Sequence, residues 1–169
     1  MHGRKSMKVV HVLLGNSERR INNLVEVALR DVCYNQAVVE FTRTQRVDEL
    51  LHLGCRRRFD LVILAPDNLV PEPSRRTSRV SIDEVVRAIR IIKRQHSIPI
   101  IGVGVPNEHQ MAILEAGVEN AFGILFDSEL LKSEVRLVLR FPEKVEPTSA
   151  NRGSFAETLL RGWQMLTQA

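Results

Sequence analysis

His2, His11, His52, His96 and His109 are the side chains best suited to hold a metal or move a proton near neutral pH, and they are scattered through the chain with no local metal-ligand pattern. His11 lies inside an apolar run and reads as a satisfied sheet residue. Cys33 and Cys55 form no CxxC pair and have no histidine cluster beside them, so buried free thiols in a reducing compartment are expected rather than a disulfide. Asp67 follows the apolar run 59–64 closely enough to suggest a nucleophile, but it has no acidic neighbour that would bring a metal to it, and it reads as a solvated loop aspartate. Neither GxGxxG nor GxxxxGKS/T occurs, which removes the common nucleotide-binding loops. The sequence offers no catalytic, metal-binding or cofactor-binding constellation, and neither an enzyme nor a bound cofactor is expected.

Charge is the second chemical feature. The net charge is only +4, yet ten basic residues stand against five acidic ones between His52 and Ser97, among them Arg56, Arg57, Arg58, Arg75, Arg76, Arg79, Arg87, Arg90 and Arg94. Such a belt attracts acidic proteins, anionic ligands or nucleic acid at long range. No aromatic residues interleave with it to stack bases, and no helix-turn-helix or zinc-finger spacing accompanies it, so nucleic acid is the weaker reading beside a solvated helix face. Arg75, Arg76 and Arg79 are the loop residues singled out as a candidate interaction device.

The elements that must position these groups alternate along the chain. The run 9–14 is continuous enough for a strand buried on both faces, and Ser17 is placed to cap a helix over 18–32 with Ile21, Leu24, Val25, Ala28, Leu29 and Val32 on one stripe. A strand over 37–42, a helix over 46–55 and a strand over 59–64 follow. The segment 65–81 holds three of the seven prolines and reads as a long loop. It leads into a helix over 82–95, whose start matches a capping box with Ser81 as N-cap and Glu84 at N3. A strand over 98–103, a helix over 107–116 closed by Gly117, a strand over 118–125 and a helix over 128–140 complete the pattern.

Five strands alternating with five helices predict a doubly wound α/β sandwich with a five-stranded parallel sheet in the middle of three layers. Ligands in such sheets bind beyond the carboxyl ends of the strands, where the topology changes direction. Here that edge carries Gly15, Asn16, Ser17, Ala65, Pro66, Gly104, Val105 and Ile124, almost without charge. The chain divides into a tail over 1–7, the α/β domain over 8–140, a linker over 141–153 and an amphipathic C-terminal helix over 154–169. On that helix Phe155, Leu159, Trp163 and Leu166 fall near one face, suited either to packing back on the domain or to docking in trans, including in a homodimer. No apolar run nears the roughly 20 residues of a membrane span. The basic start lacks a signal-peptide core, so a cytoplasmic chain without membrane contact is expected.

Three segments carry a family resemblance. EAGVENAFGILFD at 115–127 resembles the receiver-domain segment EAGADDYLTKPFD, DLVILA at 60–65 resembles DLVLLD, and PIIGVG at 99–104 resembles PIIMLT. With the order of elements, the likeness to response-regulator receiver (CheY-like, flavodoxin-like) domains covers about 8–140. In that family a magnesium ion is held by an acidic pair after the first strand, an aspartate after the third is phosphorylated, and a hydroxyl and a lysine follow on the fourth and fifth. The resemblance places the acidic pair on Asn16 and Ser17, the phospho-acceptor on Ala65, the hydroxyl on Gly104 and the lysine on Ile124. The aromatic switch position falls on Ala121, next to Phe122. None of the five chemical groups is present, so the resemblance implies a pseudo-receiver: a phosphorylation-independent module that binds a protein partner in two-component signalling or transcriptional regulation. The alternatives are a regulatory domain taking a small molecule or anion at the glycine-lined edge, and nucleic-acid binding through the arginines. A cobalamin site is not supported, because the stretch after the first strand lacks the ligand histidine of a DxHxxG motif.

Overall fold

A computed structural model describes residues 7–73 and 79–142. Five parallel strands lie in the order β2-β1-β3-β4-β5. They are β1 (Lys8–Gly15), β2 (Ala37–Thr44), β3 (Leu61–Leu64), β4 (Ile100–Gly102) and β5 (Asn120–Ala121). The crossovers are α1 (Arg19–Cys33), α2 (Val47–Arg56), α3 (Ile82–Gln95) and α4 (Asn107–Glu115), and α5 (Ser128–Leu139) closes the domain. Helices α1 and α5 cover one face over a core that includes Val12, Leu14, Val25, Leu29, Ile63, Leu131 and Val135. Helices α2, α3 and α4 cover the other over Leu13, Leu50, Val62, Leu64, Ile89, Ile92, Ile100 and Ile113. Alternate residues of one strand enter opposite cores, which is why β3 reads as an unbroken apolar run.

The start of α3 follows the sequence pattern, since the Ser81 hydroxyl accepts from the amide of Glu84 at 3.3 Å. Helix α4 gives way to Gly117 at φ +105°, a left-handed conformation that glycine adopts without a Cβ penalty. Gly54 serves a different need. A Cβ there would stand 2.7 Å from Cδ1 of Ile92, so its absence lets α2 lie directly on α3.

Several sequence expectations are corrected. Glu18, not Ser17, takes the N-cap position of α1, without a side-chain cap, because the Ser17 hydroxyl is engaged with the Asn68 carbonyl. Leu24 is 40% exposed and lies off the buried stripe of α1. The first strand is buried on both faces from Val12 onward, whereas Val9 and His11 at its start are exposed, and His11 Nδ1 lies 3.2 Å from Glu40 on β2. Both β3 and β4 are shorter than expected. The fifth strand shrinks to Asn120–Ala121, flanked by the Glu119 carboxylate on the Ile100 amide at 2.5 Å and by Gly104 at φ +61°, with Val105 still donating to the Phe122 carbonyl at 2.9 Å. Cys33 is buried as expected, whereas Cys55 is only half-buried. The 154–169 helix, with Phe155, Leu159, Trp163 and Leu166, lies outside the described residues, as do Arg75 and Arg76.

Candidate functional site

The chain leaves β1 for β2 on one side and returns to β3 on the other, so the topological switch lies between the carboxyl ends of β1 and β3. The amide of Ala65 donates to the Gly15 carbonyl at 2.9 Å, joining these two ends. Pro66–Asn68 then forms one turn of 3-10 helix, and the chain runs back across the end of β1 to the edge of β2, where Val70 donates to the Gln45 carbonyl at 2.7 Å and accepts from the Val47 amide at 3.3 Å. This strap runs along the carboxyl edge of the sheet, and Ala65 before it is 1% exposed within the core covered by α1 and α5.

Beneath the strap, Asn16 is 3% exposed and its amide group is fully engaged. Its Nδ2 donates to the Glu18 carbonyl at 2.9 Å and to Asn22 Oδ1 at 3.1 Å, while its Oδ1 accepts from the Glu18 amide at 3.0 Å. The backbone amide of Asn16 donates to the Thr44 carbonyl at 2.9 Å. Ser17 donates through both its amide and its hydroxyl to the Asn68 carbonyl. Gly104 follows β4 at the same edge, where an added Cβ would stand 3.2 Å from Cδ1 of Ile21 on α1. The structure thus gathers Asn16, Ser17, Ala65 and Gly104 at one end of the sheet. It leaves Ile124 past β5 with 66% of its surface exposed.

Sequence reasoning missed the partners that complete this edge. Asn22 and Asn68 lock the loops, with Asn68 Nδ2 donating to Glu18 at 3.2 Å. Asp67, read as a solvated aspartate, lies 2.9 Å from His109 Nδ1 at the start of α4. Beside it Ser17, Asp67, Asn68, Arg79 and His109 line an open depression of about 490 Å³. No spacing rule links residues 42 apart, so this pair had no signal in the sequence. Among the described residues no group of three or more histidine, cysteine or acidic side chains is placed to hold a metal.

The second feature is apolar. Leu130 and Leu137 on α5 are 58% and 71% exposed, and Met111 and Leu114 on α4 are 65% and 39% exposed. The helix positions place the two α5 leucines off the buried stripe of Leu131, Val135 and Leu139. Glu134 on the same side of α5 accepts from Asn120 of β5, whereas Lys132 on the other side pairs with Asp31 of α1 at 2.9 Å. The leucines therefore belong to the face made by α4, β5 and α5, and Ile124 and the 99%-exposed Leu125 lie in the β5–α5 loop beside it. The signal was present in the sequence as leucines spaced by seven outside the core stripe.

Solved structures similar to this arrangement include receiver domains of sensor histidine kinases and of response regulators. The receiver domain of a sensor histidine kinase from Pseudomonas aeruginosa, with magnesium in its active-site cleft, matches with a TM-score of 0.57 at 17% identity, over 80% of this chain and 99% of that one. The fold is that of a receiver domain. The receiver domain of NtrX from Brucella abortus gives a TM-score of 0.58 at 20% identity over 78% and 99% of the two chains. An orphan response regulator of H. pylori gives 0.55 at 15% over 80% and 100%. No family model matches the sequence, and no curated protein does so either. Among the described residues of this receiver fold, no helix is long and apolar enough to cross a membrane.

Proposed function

We propose that this chain is a receiver-fold module that binds a protein partner without aspartyl-phosphate chemistry. The observation that carries the reading is Ala65, an alanine 1% exposed in the core at the position that the family resemblance gives to the phospho-acceptor. The neighbouring groups support it. Magnesium is a hard cation that needs oxygen ligands, usually carboxylates, whereas Asn16 and Ser17 supply an amide oxygen already accepting a hydrogen bond and a hydroxyl already donating one. That donor set does not fit the ion, and no phosphoryl step is routed through it. Gly104 and Ile124 provide neither a hydroxyl nor a cation to meet a phosphoryl group.

The partner surface in this reading is the α4–β5–α5 face. Exposed leucines clustered on a polar molecule mark protein contact sites, and Met111 adds a side chain that adapts to an irregular partner. A receiver without its phosphoryl trigger presents such a face constitutively, or changes it on partner binding. The same reading makes the chain non-enzymatic and places it in a signalling or regulatory pathway.

The test uses the full chain incubated with magnesium and acetyl phosphate and read by intact mass. No gain of a phosphoryl group is expected. A gain that disappears in Asp67→Asn would overturn the reading, because it would make Asp67 the acceptor. In parallel, a protein partner recovered from the native cell should be lost with Leu130→Asp combined with Leu137→Asp, and retention of that partner would remove the assigned face.

A further inference from the structure

The molecule has a second surface between α2 and α3, on the sheet face that α4 also covers. Val47 and Leu51 on α2 and Ile91 on α3 are half-buried along it, and three adjoining depressions of about 320, 430 and 500 Å³ follow its length. Arg56 borders it at the end of α2, and Arg87, Arg90 and Arg94 run along the outer side of α3. These four arginines form no ion pair with a described residue, although the other ion pairs of the surface are well made. An arginine guanidinium is a rigid donor fork matched to carboxylates, and a row of them beside an apolar groove lacks only its acidic counterpart.

We propose that this groove docks an acidic amphipathic helix of a protein partner. Arg87, Arg90 and Arg94 recur at intervals of three and four residues, and Arg87 to Arg94 spans about 10.5 Å of helix at 1.5 Å per residue. Carboxylates at the same spacing on the facing helix meet them in register, while that helix's leucines or methionines cover Leu51 and Ile91. The groove also has a polarity. Asp48, Glu72 and Glu84 border its other end beside Arg87, with Asp48 paired to Arg46, and Asp83 is the acidic residue among the arginines of α3. The occupant therefore carries its acidic turns over the carboxyl ends of α2 and α3 and neutral or basic residues over their amino ends. This mixed rim favours a protein helix over nucleic acid, whose uniform row of phosphates would meet those three carboxylates. The surface lies on the α2–α3 side of the domain, so it is independent of the α4–β5–α5 face.

Isotope-labelled full chain titrated with three probes tests this by NMR. The first probe is a short synthetic helical peptide with leucines on one stripe and glutamates flanking it. The second is the same peptide with glutamine for each glutamate, and the third is a short DNA duplex. The glutamate peptide should shift the amides of α2 and α3, and its affinity should fall about tenfold or more with the glutamine peptide and with Arg87→Glu combined with Arg94→Glu. Arg90→Glu alone should give a smaller loss. No shift on α2 and α3, equal binding of both peptides, or a response to the duplex in place of the peptide would each overturn the proposal.

Discussion

The backbone amide of Ser17 donates to the carbonyl oxygen of Asn68 at 3.2 Å, tying the second residue past β1 to the turn that follows β3. The Ser17 hydroxyl adds a second bond to the same oxygen. In a doubly wound sheet these two loops border the crevice that receives a ligand, and here they are joined to each other.

That joining bears directly on an attempt to restore the phospho-acceptor. Ala65→Asp would set a carboxylate where the alanine is 1% exposed in an apolar core, and no metal-holding cluster of histidine, cysteine or acidic side chains occurs among the described residues. The substitution should destabilise the domain by about 2 kcal/mol or more, measured by urea unfolding at neutral pH. An unchanged midpoint would show that the strap opens readily and that the crevice is accessible.

Ser81→Ala removes the hydroxyl that accepts from Glu84's amide, on an exposed side of the structure where little else changes. A loss of about 1 kcal/mol is expected, read as a lower urea midpoint with an unchanged slope.

Gly54→Ala sets two effects against each other. Alanine gains about 1 kcal/mol of helix propensity over glycine. The added Cβ, however, would lie 2.7 Å and 2.9 Å from Cδ1 and Cγ1 of Ile92, which is fully buried and has little room to move. Overpacking of this kind costs about 1–3 kcal/mol, so the net change should be destabilising. A stabilised variant would mean that α2 can lift off α3 without loss.

Burial pushes the Cys33 thiol up from 9.0 to about 11. In the folded chain at pH 8 it should resist iodoacetamide while the half-buried Cys55 reacts, and both should react once the chain is unfolded. The sign for stability follows from the same shift. Below pH 9 the thiol is neutral in both states, and as pH rises through 9 toward 11 the unfolded thiol ionises first, so stability falls across that window. Cys33→Ala should flatten the decline, and an identical pH profile would show that burial does not govern this thiol.

The alternation of apolar runs and amphipathic segments was enough to read the five strands, the five helices and their layers, since central parallel strands such as β3 and β4, buried on both faces, leave an unbroken apolar run. Ser81 and Glu84 announced the start of α3, and Gly117 the end of α4, because caps act within a few residues. The chemical character of the carboxyl edge was equally legible, because the absence of a carboxylate at Ala65 or a lysine at Ile124 is a property of the residues themselves.

Tertiary structure decided what surrounds those residues. The strap exists because Val70 pairs with the end of β2, and the Asp67–His109 pair exists because α4 starts beside the turn after β3. Likewise His11 stands exposed beside Glu40 of β2, and β5 keeps only two residues of strand beside β4. The exposed leucines of α5 and the arginines of α3, which pair with no described residue, acquire meaning only when neighbouring elements are seen to leave them uncovered. Local patterning depends on neighbours in the chain, whereas covering, pairing and exposure depend on residues tens of positions away, and only the packed fold brings those together.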